Sequence, residues 1–93
     1  MLINEADRLF AKAEAITAKA RVHKSIGTLW WRAALEYERS AKRYHESSLG
    51  LMARVVYGYA ADCFGKASRP EDSARCGRLA ALKKKNNEDR PIS

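Results

Sequence analysis

The residues that most often carry out chemistry, two histidines and two cysteines, are not spaced like a metal site or a catalytic centre. His23 and His45 belong to no HExxH motif, and Cys63 and Cys76 form no CxxC pair. Structural zinc needs four converging nitrogen or sulfur ligands, and these four residues are the only His and Cys in the chain. We therefore predict no metal site, two small buried thiols, and a histidine near each of two helix ends.

The carboxylates and glycines form no catalytic or phosphate-binding motif. Apart from the adjacent pairs at 71–72 and 88–89, acidic residues occur singly along the chain, and no pair stands out for general acid–base work. The five glycines make neither a GxGxxG nor a GxxxxGK loop. Glu38 and Lys42 have the i, i+4 spacing of an ion pair on a helix surface, as do Asp62 and Lys66. The sequence therefore predicts no catalytic residue, no cofactor and a protein that is not an enzyme.

Basic residues provide a candidate binding surface. The chain has 18 Lys and Arg against 11 Asp and Glu, which gives a net charge of +7 and favours acidic partners. Helical spacing places basic side chains on shared faces in two stretches. The candidates are Arg39, Lys42 and Arg43 in the first stretch, and Arg75, Arg78 and the three lysines at 83–85 in the second. Both a solvated helix surface and a docking surface for an acidic helix, an acidic tail or phosphates explain this pattern.

The adjacent residues Trp30 and Trp31 are aromatic candidates. Neighbouring positions on a helix point about 100° apart, so both rings cannot face one core. Trp30 shares a stripe with Tyr37, Ala41 and Tyr44, which leaves Trp31 as the better contact candidate. Exposed tryptophans are frequent hot spots of protein interfaces. The alternative is that the first helix or the preceding loop covers both rings.

Helices must position these residues. Sixteen alanines, two prolines and apolar residues at every third or fourth position predict an all-α protein. The predicted helices cover residues 4–23, 28–46, 49–67 and 70–84, three long and one shorter, in a small antiparallel bundle. The third is apolar over the widest arc and is predicted to be the most buried. Predicted N-caps are Asn4, Thr28, Ser48 and Ser68, the last in a capping box with Glu71.

The chain length of 93 residues predicts a single domain. We expect residues 1–85 to form the helical bundle and residues 86–93 to form a flexible polar tail. No apolar run approaches the roughly 20 residues of a membrane span, and the first residues lack the basic and apolar regions of a secretory signal. We therefore expect a cytoplasmic protein.

A self-similarity with a 20-residue offset links the second and third predicted helices. The matched residues are Tyr37, Ser40, Ala41, Tyr44 and Ser47, which recur as Tyr57, Ala60, Ala61, Phe64 and Ala67. The shared pattern puts a ring at every seventh residue of one stripe, with small residues between the rings. We expect an antiparallel hairpin in which the rings of one helix fill gaps left by small residues of the other.

The segment WRAALEYERSAKRY, residues 31–44, resembles the helices of tetratricopeptide-like repeats and SNAP-type adaptors. It also looks like the second helix of microtubule-interacting-and-trafficking (MIT) domains. Residues 60–70 are similar to the second helix of a tetratricopeptide unit and its exit, although the 34-residue tetratricopeptide period is not present. The resemblance covers about residues 28–82 and implies a helical module that binds peptides or helices of partner proteins and catalyses nothing.

Taken together, these patterns favour a non-enzymatic interaction or adaptor module that docks a partner's amphipathic helix or acidic segment in a groove between helices. The predicted contact residues are Trp31, Arg39, Lys42, Arg43, Arg75 and Arg78. The alternative is a basic helical protein that binds nucleic acid, but the aromatic rings fall on apolar stripes rather than among the basic residues. Homo-oligomerisation through the same apolar surface is a further alternative.

Overall fold

The computed structural model describes residues 2–23 and 27–81, and every regular element in these ranges is an α-helix. The helices are α1 (Leu2–Val22), α2 (Gly27–Glu46), α3 (Gly50–Lys66) and α4 (Pro70–Ala81). The predicted all-α fold of three long helices and one shorter helix is confirmed. The predicted tail at 86–93 and the predicted extension of the last helix to Lys84 lie outside the described residues.

Each helix packs mainly on its neighbours in the chain, α1 on α2, α2 on α3 and α3 on α4. The connections at 47–49 and 67–69 are short, so α2, α3 and α4 alternate in direction. Alanine dominates the contacts between helices, because it loses little entropy in a helix and lets two backbones approach closely. The fully buried alanines are Ala6, Ala13, Ala20, Ala33, Ala34, Ala41, Ala53 and Ala60.

The most buried helix is α2 and not, as the sequence predicts, α3. Lying between α1 and α3, α2 contributes Tyr37 and Tyr44 to the core in addition to its alanines. On α3, by contrast, the large apolar side chains of Met52 and Val55 are exposed. The apolar arc of α3 is wider than the surface that α2 and α4 cover, so part of that arc faces solvent.

The matching rings Tyr44 and Phe64 are both buried, as the 20-residue repeat predicts. Their contacts reach the outer helices as well. The Tyr44 hydroxyl donates a hydrogen bond to the carboxylate of Asp7 on α1, and the guanidinium carbon of Arg75 on α4 lies 6.0 Å from the Phe64 ring centre. The repeat residues therefore connect α2 to α1 and α3 to α4, in addition to forming the central hairpin.

The connections after α2 and α3 share one backbone geometry. Ser48 and Ser68 have left-handed φ angles of 64° and 62°, and the amide after each serine donates to the carbonyl five residues earlier. These bonds are Leu49 N to Tyr44 O and Arg69 N to Phe64 O, both 2.9 Å. Each connection is a Schellman motif, in which the serine ends one helix and does not begin the next. The N-caps predicted at Ser48 and Ser68 are therefore wrong.

The predicted N-caps at Asn4 and Thr28 are also wrong. The first helix begins at Leu2 and the second at Gly27, so both residues lie inside a first turn. Residue type alone does not separate an N-cap from a position one or two residues into the helix.

Replacing Ser48 or Ser68 with glycine should stabilise the protein by about 1 kcal/mol, because glycine adopts a left-handed φ without steric cost. For a domain of this size, that change raises the melting temperature by about 4–8 °C, which thermal unfolding followed by circular dichroism measures. Ser47→Gly is the matched control: Ser47 has no positive φ, so this variant should be less stable than the wild type. A Ser48→Gly protein that melted below the wild type would contradict the Schellman geometry.

An ion pair joins two helices that are not neighbours in the chain. The guanidinium of Arg75 on α4 binds both carboxylate oxygens of Glu38 on α2, with 3.3 Å between Nη2 and Oε1. The Glu38 side chain is only 11% exposed, so little water compensates its charge and it depends on Arg75. The sequence predicts Lys42 as the partner of Glu38, whereas the structure supplies Arg75 from α4.

Removing this pair should destabilise the fold. Arg75→Ala should lower the free energy of unfolding by about 1–3 kcal/mol, because the Glu38 carboxylate is left without its partner. Arg78→Ala is the matched control: this arginine is exposed one turn further along α4, and its loss should change stability by less than about 0.5 kcal/mol. Urea unfolding measures both variants, and equal effects would show that the Glu38–Arg75 pair contributes nothing.

Candidate functional site

A cleft of about 350 Å³ lies among α1, α2 and α3. All three helices contribute side chains to it, so the cleft exists only once they are packed. We call this site the α1–α3 cleft. It is lined by Glu14, Thr17 and Arg21 of α1, Trp30 and Tyr37 of α2, and Tyr59, Asp62, Cys63 and Lys66 of α3.

Aromatic rings form the base of the α1–α3 cleft. The ring centre of Tyr37 lies 5.5 Å from that of Phe10 and 5.5 Å from that of Tyr59. Phe10 and Tyr59 are 5.9 Å apart, although they belong to α1 and α3. All three pairs are tilted, an arrangement that aromatic pairs favour over face-to-face stacking. Tyr37 and Tyr59 line the cleft, and Phe10 packs against both rings, which connects α1, α2 and α3.

The charges around the cleft balance. Glu14 and Asp62 are acidic, whereas Arg21 and Lys66 are basic. The ammonium of Lys66 lies 5.3 Å from the centre of the Trp30 ring, a cation–π contact. The sequence predicts Asp62 as the partner of Lys66, but the ammonium lies over Trp30. The cleft thus combines exposed aromatic surface with charges of both signs.

The titratable groups at the bottom of the cleft keep their protons at neutral pH. Burial raises the pKa of the Cys63 thiol to about 11. Burial also raises the pKa of Tyr37, partly offset by the nearby Thr17 hydroxyl and by the charge of Arg21. Reactive cysteines act as thiolates, so Cys63 is poorly suited to nucleophilic chemistry. Both cysteines of the chain are buried and unpaired, which confirms the prediction of two small buried thiols.

The structure places Arg39 and Arg43, two of the predicted contact residues, on the surface shared by α1 and α2. Arg43 binds Glu5 of α1 at 3.2 Å, and Arg39 contacts Glu36 at 3.4 Å. The same Glu36 carboxylate oxygen lies 3.6 Å from the Lys12 ammonium of α1. These two arginines belong to ion-pair networks within the chain and not to the cleft.

The other predicted contacts lie toward α4. Burial raises the pKa of the Cys76 thiol to about 11. The positive charges of Arg75 and Lys42 are close enough to oppose this shift. Trp31 is half-buried, with the guanidinium carbon of Arg69 lying 5.1 Å from its ring centre. Arg78 is exposed on α4. None of the six predicted residues lines the cleft.

Sequence reasoning missed the cleft because its residues come from three helices. Trp30 lines it, whereas Trp31, the preferred candidate, contacts Arg69 instead. Tyr59 lies outside the 20-residue repeat, so that pattern does not indicate it. Along α1, one helix face carries Phe10, Glu14, Thr17 and Arg21 at every third or fourth position. This stripe is the signal in the sequence that could have indicated one wall of the cleft.

Neither a metal site nor a membrane span occurs in residues 2–23 and 27–81. No three His, Cys, Asp or Glu side chains in these ranges are gathered closely enough to hold a metal ion, and no helix there has both the length and the apolar character to cross a bilayer. His23 directly follows α1 and His45 lies in the last turn of α2, which confirms their predicted placement near helix ends.

No protein-family model, curated protein or solved structure matches this chain. The resemblance of residues 28–82 to tetratricopeptide-like, SNAP-type and MIT helices therefore stays a prediction, and function has to be argued from the site.

The free energy of unfolding should fall as the pH rises from about 9 to about 11. Below pH 9 the thiols of Cys63 and Cys76 are protonated in both states. Above it the unfolded chain loses these protons, whereas the folded chain holds them up to about pH 11. Urea unfolding at pH 8, 9 and 10 measures the decline. The variant with both Cys63→Ala and Cys76→Ala should decline less, and an equal decline would contradict the raised pKa values.

Proposed function

We propose that this protein is a non-enzymatic interaction module whose α1–α3 cleft receives an amphipathic helix or an acidic segment of a partner protein. The observation that carries the proposal is the convergence of Trp30, Tyr37 and Tyr59 on one cleft. Tryptophan and tyrosine are the residue types that most often dominate the energy of protein interfaces. Because tilted ring contacts hold Tyr37 and Tyr59 in place, little side-chain freedom is lost on binding.

The chemistry of the cleft favours an amphipathic helix as the occupant. Such a helix presents apolar side chains at every third or fourth position to the rings. Acidic residues beside that apolar face then meet Arg21 and Lys66. Basic residues beside it meet Glu14 and Asp62. A uniformly acidic segment would be attracted by the basic residues and repelled by the acidic ones. The resemblance of residues 28–82 to helical adaptor families supports the same class of function.

The alternative, nucleic-acid binding, has weaker support. Three of the basic residues proposed to contact phosphates, Arg39, Arg43 and Arg75, each lie within 3.4 Å of a carboxylate oxygen of the same chain. A phosphate would have to displace these carboxylates. The rings of the cleft, which could stack on bases, lie beside Glu14 and Asp62 as well as Arg21 and Lys66, so the charges there do not favour a phosphate backbone.

Photocrosslinking tests whether the cleft is the binding surface. A photoreactive amino acid at position 14, on the rim of the cleft, should capture a partner protein from a nuclease-treated extract of source cells. The control is the same probe at position 15, which is also exposed but points about 100° away. Capture at position 14 alone is the expected result. Equal capture at both positions, or capture at position 15 alone, would contradict the proposal.

Affinity measurements with the captured partner then test the rings. Trp30→Ala and Tyr59→Ala should each weaken binding about tenfold or more, as the loss of a hot-spot ring does. Trp31→Ala and Tyr57→Ala are the matched controls, because they remove the same ring types outside the cleft. Both controls should bind within about twofold of the wild type, with circular dichroism confirming that each variant folds. Loss of binding in Trp31→Ala but not in Trp30→Ala would place the partner on the surface predicted from the sequence.

A further inference from the structure

We infer that a second copy of this chain binds along one exposed side of α3 and forms a two-fold symmetric, antiparallel dimer. We call this side the outer stripe. Its members recur at every third or fourth position and share one face of the helix. They are Leu51, Val55, Gly58, Asp62 and Gly65. The outer stripe shares Asp62 with the α1–α3 cleft, but the inference needs no partner in the cleft and would stand if the cleft bound none.

The outer stripe and its edge hold most of the large apolar side chains exposed on the described residues. Leu51 is 67% exposed and Val55 is 45% exposed, and Met52 and Tyr59 beside them are 41% and 44% exposed. Apart from these four, only Val22 at the end of α1 is a large exposed hydrophobic residue in the part of the chain that the structure describes. A contiguous apolar patch of a few hundred Å² typically marks an interaction surface.

No contact within the described chain requires a glycine at position 58. Its φ is not left-handed, and a Cβ atom built on it would meet no other atom within 4 Å. Glycine is unfavourable in the middle of a helix compared with alanine. The open space at Gly58 lies on the exposed side of α3, where it lets another backbone approach closely.

The outer stripe complements itself when two copies run antiparallel with Gly58 opposite Gly58. In this register the exposed Leu51 lies opposite Gly65 of the second copy, which is also exposed. Arg54, at the edge of the stripe, lies opposite Asp62 of the second copy. A two-fold axis repeats each contact, so the dimer contains two of these ion pairs, as isologous interfaces do.

The same charges select the antiparallel orientation. A parallel pair would place Arg54 opposite Arg54 and Asp62 opposite Asp62, which repel. Neither residue belongs to an ion pair found among the described residues. Asp62 is exposed and Arg54 is half-buried, so both can reach across the interface. One helix pair covers less than the roughly 800 Å² per partner of a standard interface, so the dimer should be weak and depend on concentration.

Sedimentation equilibrium of the purified protein, from 10 µM to 1 mM, tests the dimer. The wild type should change from a 10.5 kDa monomer to a species of twice that mass. Val55→Glu should move the midpoint to at least a tenfold higher concentration. Val22→Glu makes the same exchange at a valine that is 74% exposed but off the stripe, so it should not move the midpoint. A wild type that stayed monomeric at 1 mM would overturn the inference.

Charge exchange tests the register. Arg54→Asp and Asp62→Arg should each dimerise more weakly than the wild type, because like charges then face each other. An equimolar mixture of the two variants should dimerise again, since each copy supplies the charge that the other lacks. Failure of the mixture to dimerise would overturn the antiparallel register. Trp30→Ala, which should weaken partner binding in the cleft, should dimerise like the wild type. This variant therefore separates the test of the dimer from the test of the cleft.

Discussion

The close packing of alanine between α2 and its two neighbours is the interaction on which this structure depends. Alanine fills little volume, so helices that meet through it exclude water only if their backbones approach closely. One hydrogen bond between α2 and α1, and another between α4 and α3, show how closely the helices approach. The Ser40 hydroxyl of α2 donates to the backbone carbonyl of Ala6 on α1 at 2.8 Å, and that of Ser73 on α4 donates to Ala61 on α3 at 2.9 Å. Serine is short, so each bond requires a neighbouring backbone within its reach.

Tyr44 and Phe64 are buried between the helices, whereas other large side chains extend past the edges of the close contacts. On one side Phe10 and Tyr59 meet above Tyr37 and connect α1 to α3. On the other side Arg75 reaches Glu38 and connects α4 to α2. These side chains therefore form both the aromatic base of the α1–α3 cleft and the ion pair that fixes α4.

The basic character of the chain is partly used inside the molecule. Glu5, Glu36 and Glu38 each bind an arginine from the same chain, so these arginines stabilise helix contacts. The net charge of +7 still acts at a distance, where it speeds the approach of acidic molecules. In the proposed function, the rings of the cleft contact the partner protein, and the charges of both signs at the rim determine which partner binds.

The sequence by itself determined the fold class, the number and order of the helices, and the burial of Tyr44 and Phe64. Alanine content and hydrophobic period are local properties that each helix shows within its own sequence. The 20-residue repeat likewise follows from comparing the sequences of α2 and α3. Only the tertiary structure decided that Trp30 and not Trp31 lines the cleft, that Arg75 and not Lys42 binds Glu38, and that Ser48 and Ser68 end helices. The first two outcomes depend on which side chain meets a helix distant in the sequence. The third depends on backbone direction at the connections, and serine is compatible with either end of a helix.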